Sequence, residues 1–173
     1  MTNKKGGKDP VLHIPSDFRE EDELAILQDS NDIDKLRSLL VDGEKVYRLV
    51  LCSHEDSSGV LAATNKRILF ADQRFITSKV VEFKYSEVAA IVYNMQIVTQ
   101  YIVLVHSSRT LSVDKVDREH GERFIEFVQD AIGGDYTTQG GGHVFRHNDD
   151  ILRLTDLPSM KEELSNNDEI TGA

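Results

Sequence analysis

The sequence predicts a mainly β domain, one small antiparallel unit closed by a helix, with attachments at both ends. Two observations predict it. Between residues 44 and 115, β-branched and aromatic runs recur about every 8–12 positions, separated by polar turn residues. Residues 117–132 then carry a single apolar stripe at helical spacing, Phe124, Ile125, Phe127, Val128, Ala131 and Ile132, ended by Gly133-Gly134. A chain of 173 residues suits one domain with appendages.

Residues 1–15 hold lysines, glycines and two prolines and are expected to be disordered. Residues 16–43 read as a helical extension packed on the β domain. Ser16 or Asp17 can cap a first helix, with Glu20, Glu21, Asp22 and Glu23 in the turns where the helix dipole favours negative charge. Asp29 to Asp32 interrupt the pattern, and a second helix is expected from about Ile33 to Leu40, with Asp42-Gly43 as its stop. The β domain is expected over 44–134. Its strands are read at 45–52, 59–64, 67–71, 79–85, 88–95, 100–106 and 109–115, with 53–58 as a polar loop. Asp117 caps the closing helix, and Gly121 falls in its first turns. Residues 135–173 open on a glycine-rich linker, Gly140-Gly141-Gly142. They are expected to form a flexible acidic tail, with one short amphipathic helix at 151–157 before Pro158.

Charge narrows the function classes. Thirty acidic against twenty basic residues give a net charge of -10, which repels nucleic-acid backbones. The β domain is nearly neutral, and the attachments carry most of the excess. One cysteine, Cys52, cannot form an internal disulfide framework or a multi-cysteine zinc site. No apolar stretch approaches the ~20 residues that span a bilayer, and no signal-peptide core follows the N-terminal lysines. A cytoplasmic protein is expected.

Within this pattern, residues 59–70, Gly-Val-Leu-Ala-Ala-Thr-Asn-Lys-Arg-Ile-Leu-Phe, resemble the glycine-to-T-N-x-R hairpin of bacterial pleckstrin-homology-like (PH-like) proteins of the YokE-like kind and of the related GRAM domains. Residues 79–91 resemble the same family, as does the order of seven strands and one helix. The resemblance implies a seven-stranded, partly open antiparallel barrel capped by the C-terminal helix, behind the N-terminal helical extension. It implies little about chemistry, because such modules bind lipids, peptides or their own copies.

The residues offer three classes of site. In phosphoinositide-binding PH domains the first strand loop supplies cations, whereas here Glu55 and Asp56 stand there. The candidate anion-binding residues are therefore Arg74, Lys79 and Arg109, which the resemblance places at the open end of the barrel. Lys66 and Arg67 would lie a strand length away. For metals, His143 and His147 have helical spacing, with Asp149 and Asp150 following, but the neighbouring glycines argue against a helix. His54 and His106 offer less. No metal site or cofactor is expected. Cys52 ends an apolar strand, where a thiol packs as a small hydrophobe, and neither a serine elbow nor a phosphate loop occurs. No enzyme is expected. The leading reading is a non-catalytic interaction module that binds a protein or peptide, or a second copy of itself, through strands 79–85 or 88–95. A membrane module for anionic lipid headgroups is the alternative.

Overall fold

The computed structural model describes residues 12–72, 80–95, 100–106, 109–133, 135–139 and 142–146. One sheet has the order β1-β2-β3-β4, from Val46–His54, Ser57–Thr64, Arg67–Asp72 and Val81–Lys84. The second comprises β5 (Val88–Met95), β6 (Gln100–His106) and β7 (Thr110–Val113), extended by β8 (Asp135–Gln139) and β9 (Gly142–Arg146), in the order β7-β6-β5-β9-β8. All pairs are antiparallel. Among the described residues one backbone bridge, Ser53 to Asp114, links the sheets, which are not closed into one another, so β1 to β7 make a partly open barrel.

Helix α3 (Arg118–Ile132) fills its mouth. Asp117 accepts a hydrogen bond from the His120 N–H, capping the helix as its position predicts. Phe124, Phe127 and Val128 enter one core with Leu61, Phe83 and Ile102 from the two sheets. Each buried aromatic or branched side chain of this kind contributes about 1.5–3 kcal/mol. Gly121 has a packing role beyond its place in the first turns. A Cβ there would lie 2.8 Å from the Tyr93 hydroxyl and 2.8 Å from Val116 Cγ1, so glycine lets the helix approach β5.

The N-terminal segment forms α1 (Glu20–Leu24), a 3-10 turn at Ala25–Leu27, and α2 (Ser30–Leu39). The second helix starts three residues before the expected Ile33, because the Asp29 side chain accepts from the Asn31 N–H at 2.8 Å and caps it there. Leu24, Leu27 and Leu36 bury the outer face of the first sheet, against Leu49, Val60 and Leu69. That sheet is therefore covered on both faces, which explains the unbroken apolar run in β2. At the N-terminal end of the described chain, Leu12 packs against the main core.

Four differences from the sequence expectations have local causes. The 53–58 loop is a two-residue hairpin turn, Glu55-Asp56, with φ of 48° and 62°, and the strands run up to it on both sides. The fourth strand ends at Lys84 because Tyr85–Glu87 turns as a 3-10 helix. Residues 135–139 and 142–146, expected as the start of the flexible tail, form the β8–β9 hairpin on β5. The fourth concerns pairing with partners. Strand 88–95 is β5, which is interior, flanked by β6 and β9, so its edge is already occupied by this chain. The expected short helix at 151–157 lies outside the described residues, as do residues 1–11.

Gly59, the first residue of the hairpin motif, sits under an aromatic ring. A Cβ on it would meet Phe70 ring carbons at 2.6 Å and the Ala71 carbonyl at 2.8 Å. We expect Gly59→Ala to lower stability by about 1–3 kcal/mol through this overpacking, read as a lower urea midpoint with unchanged slope.

Candidate functional site

The T-N-x-R turn between β2 and β3 is a structural clamp. The Thr64 hydroxyl accepts from the Lys66 and Arg67 N–H groups at 3.0 Å each, closing the turn. Asn65 accepts from the Lys45 N–H at 2.8 Å and donates to the Gly43 carbonyl at 3.0 Å. The Tyr85 hydroxyl donates to the Thr64 carbonyl from the core side, and its burial raises its pKa. Arg67 reaches outward. Its Nη2 donates to the Leu39 carbonyl at the end of α2, at 2.9 Å, and its Nε and Nη2 grip Glu44 at 3.0 Å each. The turn thus ties the 39–45 connection to the barrel.

Glu44 is the anion of this clamp. Its carboxylate, with no exposed side-chain surface, also accepts from the Val41 N–H at 2.9 Å and from the Thr64 hydroxyl at 2.7 Å. Burial is the largest influence on its pKa and acts to raise it. The hydrogen bonds from Arg67, Val41 and Thr64, with the Arg67 charge, outweigh burial and hold it below the ordinary 4.5.

Beside the clamp lies a groove of about 370 Å³ lined by Val41, Lys66, Arg67, Glu82, Lys84, Glu87 and Arg109. It follows β4, the edge of the first sheet. Register sets Arg67 opposite Lys84 and Leu69 opposite Glu82. Arg67 Nη1 pairs with the Glu82 carboxylate, and Arg109 Nη2 donates to the Glu82 carbonyl. The Arg109 guanidinium lies over the Phe83 ring, 4.6 Å from its centroid, so the cation is held in place. Lys66 Nζ donates to the Asp42 carbonyl at 2.6 Å, and Lys84 Nζ stands 3.8 Å from Glu87 with its side chain largely exposed. The edge itself is guarded, since Arg109 takes the Glu82 carbonyl and Glu87 accepts from the Lys84 N–H at 3.4 Å.

Arg109 therefore does not stand apart from Arg67. Both contact Glu82, which corrects the expected separation of a strand length. The reason is side-chain reach: Arg109 extends to the Glu82 carbonyl on β4, and Arg67 reaches across from β3 to the carboxylate of the same residue. Arg74 and Lys79 lie outside the described residues. Lys66 and Lys84 also line the groove, where the sequence expectation places neither. The antiparallel pairing of the 67–71 and 79–85 strands would have revealed Lys84 opposite Arg67.

The other candidates resolve as packing. His54 Nδ1 donates to the Ser112 carbonyl at 2.7 Å, and its ring lies edge-on to Phe70. Among the described residues no three His, Cys, Asp or Glu side chains gather as a metal site. His147, Asp149 and Asp150 lie outside them, as does the side chain of His143. No described helix is long and apolar enough to cross a membrane. Cys52 is buried in the main core, which, with Asp114 nearby, pushes its thiol pKa up to about 12. We expect this thiol to resist a disulfide reagent at pH 8 in the folded protein and to react at once in denaturing urea. Fast reaction without denaturant would contradict that burial.

Residues 40–130 match the family described as bacterial PH domain. No curated protein matches the chain.

Proposed function

The chain belongs to the bacterial PH domain family, and from that premise we propose that it is a non-catalytic interaction module whose β4 groove receives a carboxylate-bearing segment of a partner protein. The observation that carries this reading is the convergence of Lys66, Lys84 and Arg109 from three separate stretches of chain on one groove. Arg67 takes no part in binding, because Nε, Nη1 and Nη2 all have internal partners. Each of the other three cations has spare donors. Arg109 on its ring and Lys66 on its carbonyl lose little freedom when a ligand arrives. Glu82 and Glu87 give the groove mixed charge, which suits a peptide with its own N–H donors.

Anionic lipid is the second reading, with Arg74, Lys79 and Arg109 as its candidate residues. The Glu55-Asp56 turn weighs against it. The turn itself carries two exposed carboxylates and no cation, and an anionic membrane surface would repel them.

Fluorescence anisotropy with a fluorescein-labelled glutamate-rich peptide tests the proposal. Binding should fall about tenfold, a loss of about 1.4 kcal/mol, on Arg109→Ala or Lys84→Glu, and should weaken with salt. Phosphoinositide vesicles should not co-sediment with the protein at physiological salt. No peptide binding, together with vesicle binding abolished by Arg74→Ala and Lys79→Ala, would establish the lipid reading instead.

A further inference from the structure

We propose that the outer face of the second sheet is the seat of the chain's own C-terminal segment, residues 151–164. The face is apolar and continuous. Register pairs Ala90 with Val105 and Val92 with Val103, so these side chains share the side of the sheet away from Ile91, Leu104 and α3. With Tyr101 they form a cluster separate from the two cores. A sheet face with nothing on it leaves its side chains in contact with water. Yet Val92, Val103 and Val105 are only 3%, 1% and 4% exposed. No other described hydrophobic side chain packs on this cluster, whereas the corresponding face of the first sheet is closed by α1 and α2. The cover therefore comes from chain outside the described residues.

Connectivity and composition select the segment. β9 ends at Arg146, whose register position is opposite Ala90, at the margin of the face. Ile151 is five residues further on, and five residues reach at most about 17 Å, enough to cross to β6 but not to leave this sheet for the far side of the barrel. Residues 151–164 hold Ile151, Leu152, Leu154, Leu157, Met160 and Leu164. Ile151 and Leu154, and Met160 and Leu164, have the three- and four-residue spacing of a helical stripe on either side of Pro158. The interspersed Asp156, Glu162 and Glu163 would face water. Residues 1–11 are polar apart from Met1 and Val11. The undescribed stretches 73–79, 96–99 and 107–108 join consecutive strands, β3 to β4, β5 to β6 and β6 to β7, so each is tethered to a strand at both of its ends. The two attachments thus close the two sheets symmetrically, one from each terminus.

A nitroxide placed on the full-length protein at Ser159→Cys tests this. Cys52 is buried and should not take the label. In ¹⁵N-labelled protein the amide signals of Val92, Val103 and Val105 should lose most of their intensity, while those of Leu61 and Leu69 in the first sheet keep theirs. Adding Leu154→Asp and Leu157→Asp should restore the lost signals. No loss at the three valines would overturn the proposal, as would loss that survives the two aspartates. Loss appearing only when ¹⁵N protein without nitroxide is mixed with spin-labelled ¹⁴N protein would also overturn it, assigning the face to a second copy.

Discussion

Glu44→Ala is expected to lower the unfolding free energy by about 3–5 kcal/mol, among the largest effects of any single substitution in this chain. The carboxylate has four hydrogen bonds, from Val41, Thr64 and twice from Arg67. Its removal leaves a largely buried guanidinium with fewer partners and orphans the Val41 N–H. The loss should also be local. Arg67 holds the Leu39 carbonyl, so hydrogen exchange in α2 should accelerate more than in α3. Because the Glu44 pKa is lowered on folding, its contribution is fully present above 4.5 and is lost as pH falls through the folded-state value. Wild type should therefore lose stability on acidification faster than Glu44→Gln, whose missing charge removes that slope. Parallel acid limbs would show that the clamp does not depend on the ionised carboxylate.

This clamp also bears on what could be read from the residues alone. The seven strands and the closing helix were legible because alternation and a helical stripe are written in every residue of an element, and errors at one position do not erase them. Glu44 was not legible. It stands just before a strand, in a charged stretch where nothing distinguishes it from its exposed neighbours, and only the fold brings Thr64 and Arg67 to it. The Glu55-Asp56 turn was hidden for a different reason. Positive φ at two residues usually carries glycine or asparagine, and here neither is present. The β8–β9 hairpin was hidden by its glycines, since Gly140 to Gly142 read as linker although Thr137-Thr138 and Val144-Phe145 favour strands. The groove was half legible: Arg109 was picked out, but side-chain reach rather than strand order decides that it meets Glu82.

Glu23→Ala should cost about 3 kcal/mol, and the manner of the loss separates a buried ionic knot from a surface one. Glu23, only 4% exposed, accepts from the Leu49 N–H at 3.2 Å and from Arg48 Nη1 at 3.4 Å, and it pairs with Arg123. It thereby joins α1 to β1 and α3 and, with Glu20 on the Val46 N–H, covers the free edge of β1. Arg48 lies between the Phe18 and Phe127 rings, 5.9 and 5.7 Å from their centroids, and burial lowers its pKa while Glu23 opposes that. Removing Glu23 alone strands this cation between two rings. Removing both ends the conflict, so Glu23→Ala with Arg48→Met should be less damaging than the sum of the single changes, with a coupling of about 1–3 kcal/mol in a double-mutant cycle. Arg123→Ala should cost less than about 1 kcal/mol, since its side chain is half exposed and its charge is screened by water. Urea midpoints for the four proteins of the cycle decide the matter. Additive losses would mean that Glu23 acts only through the Leu49 N–H, as an edge cover, and that the guanidinium beside it is held by the rings alone.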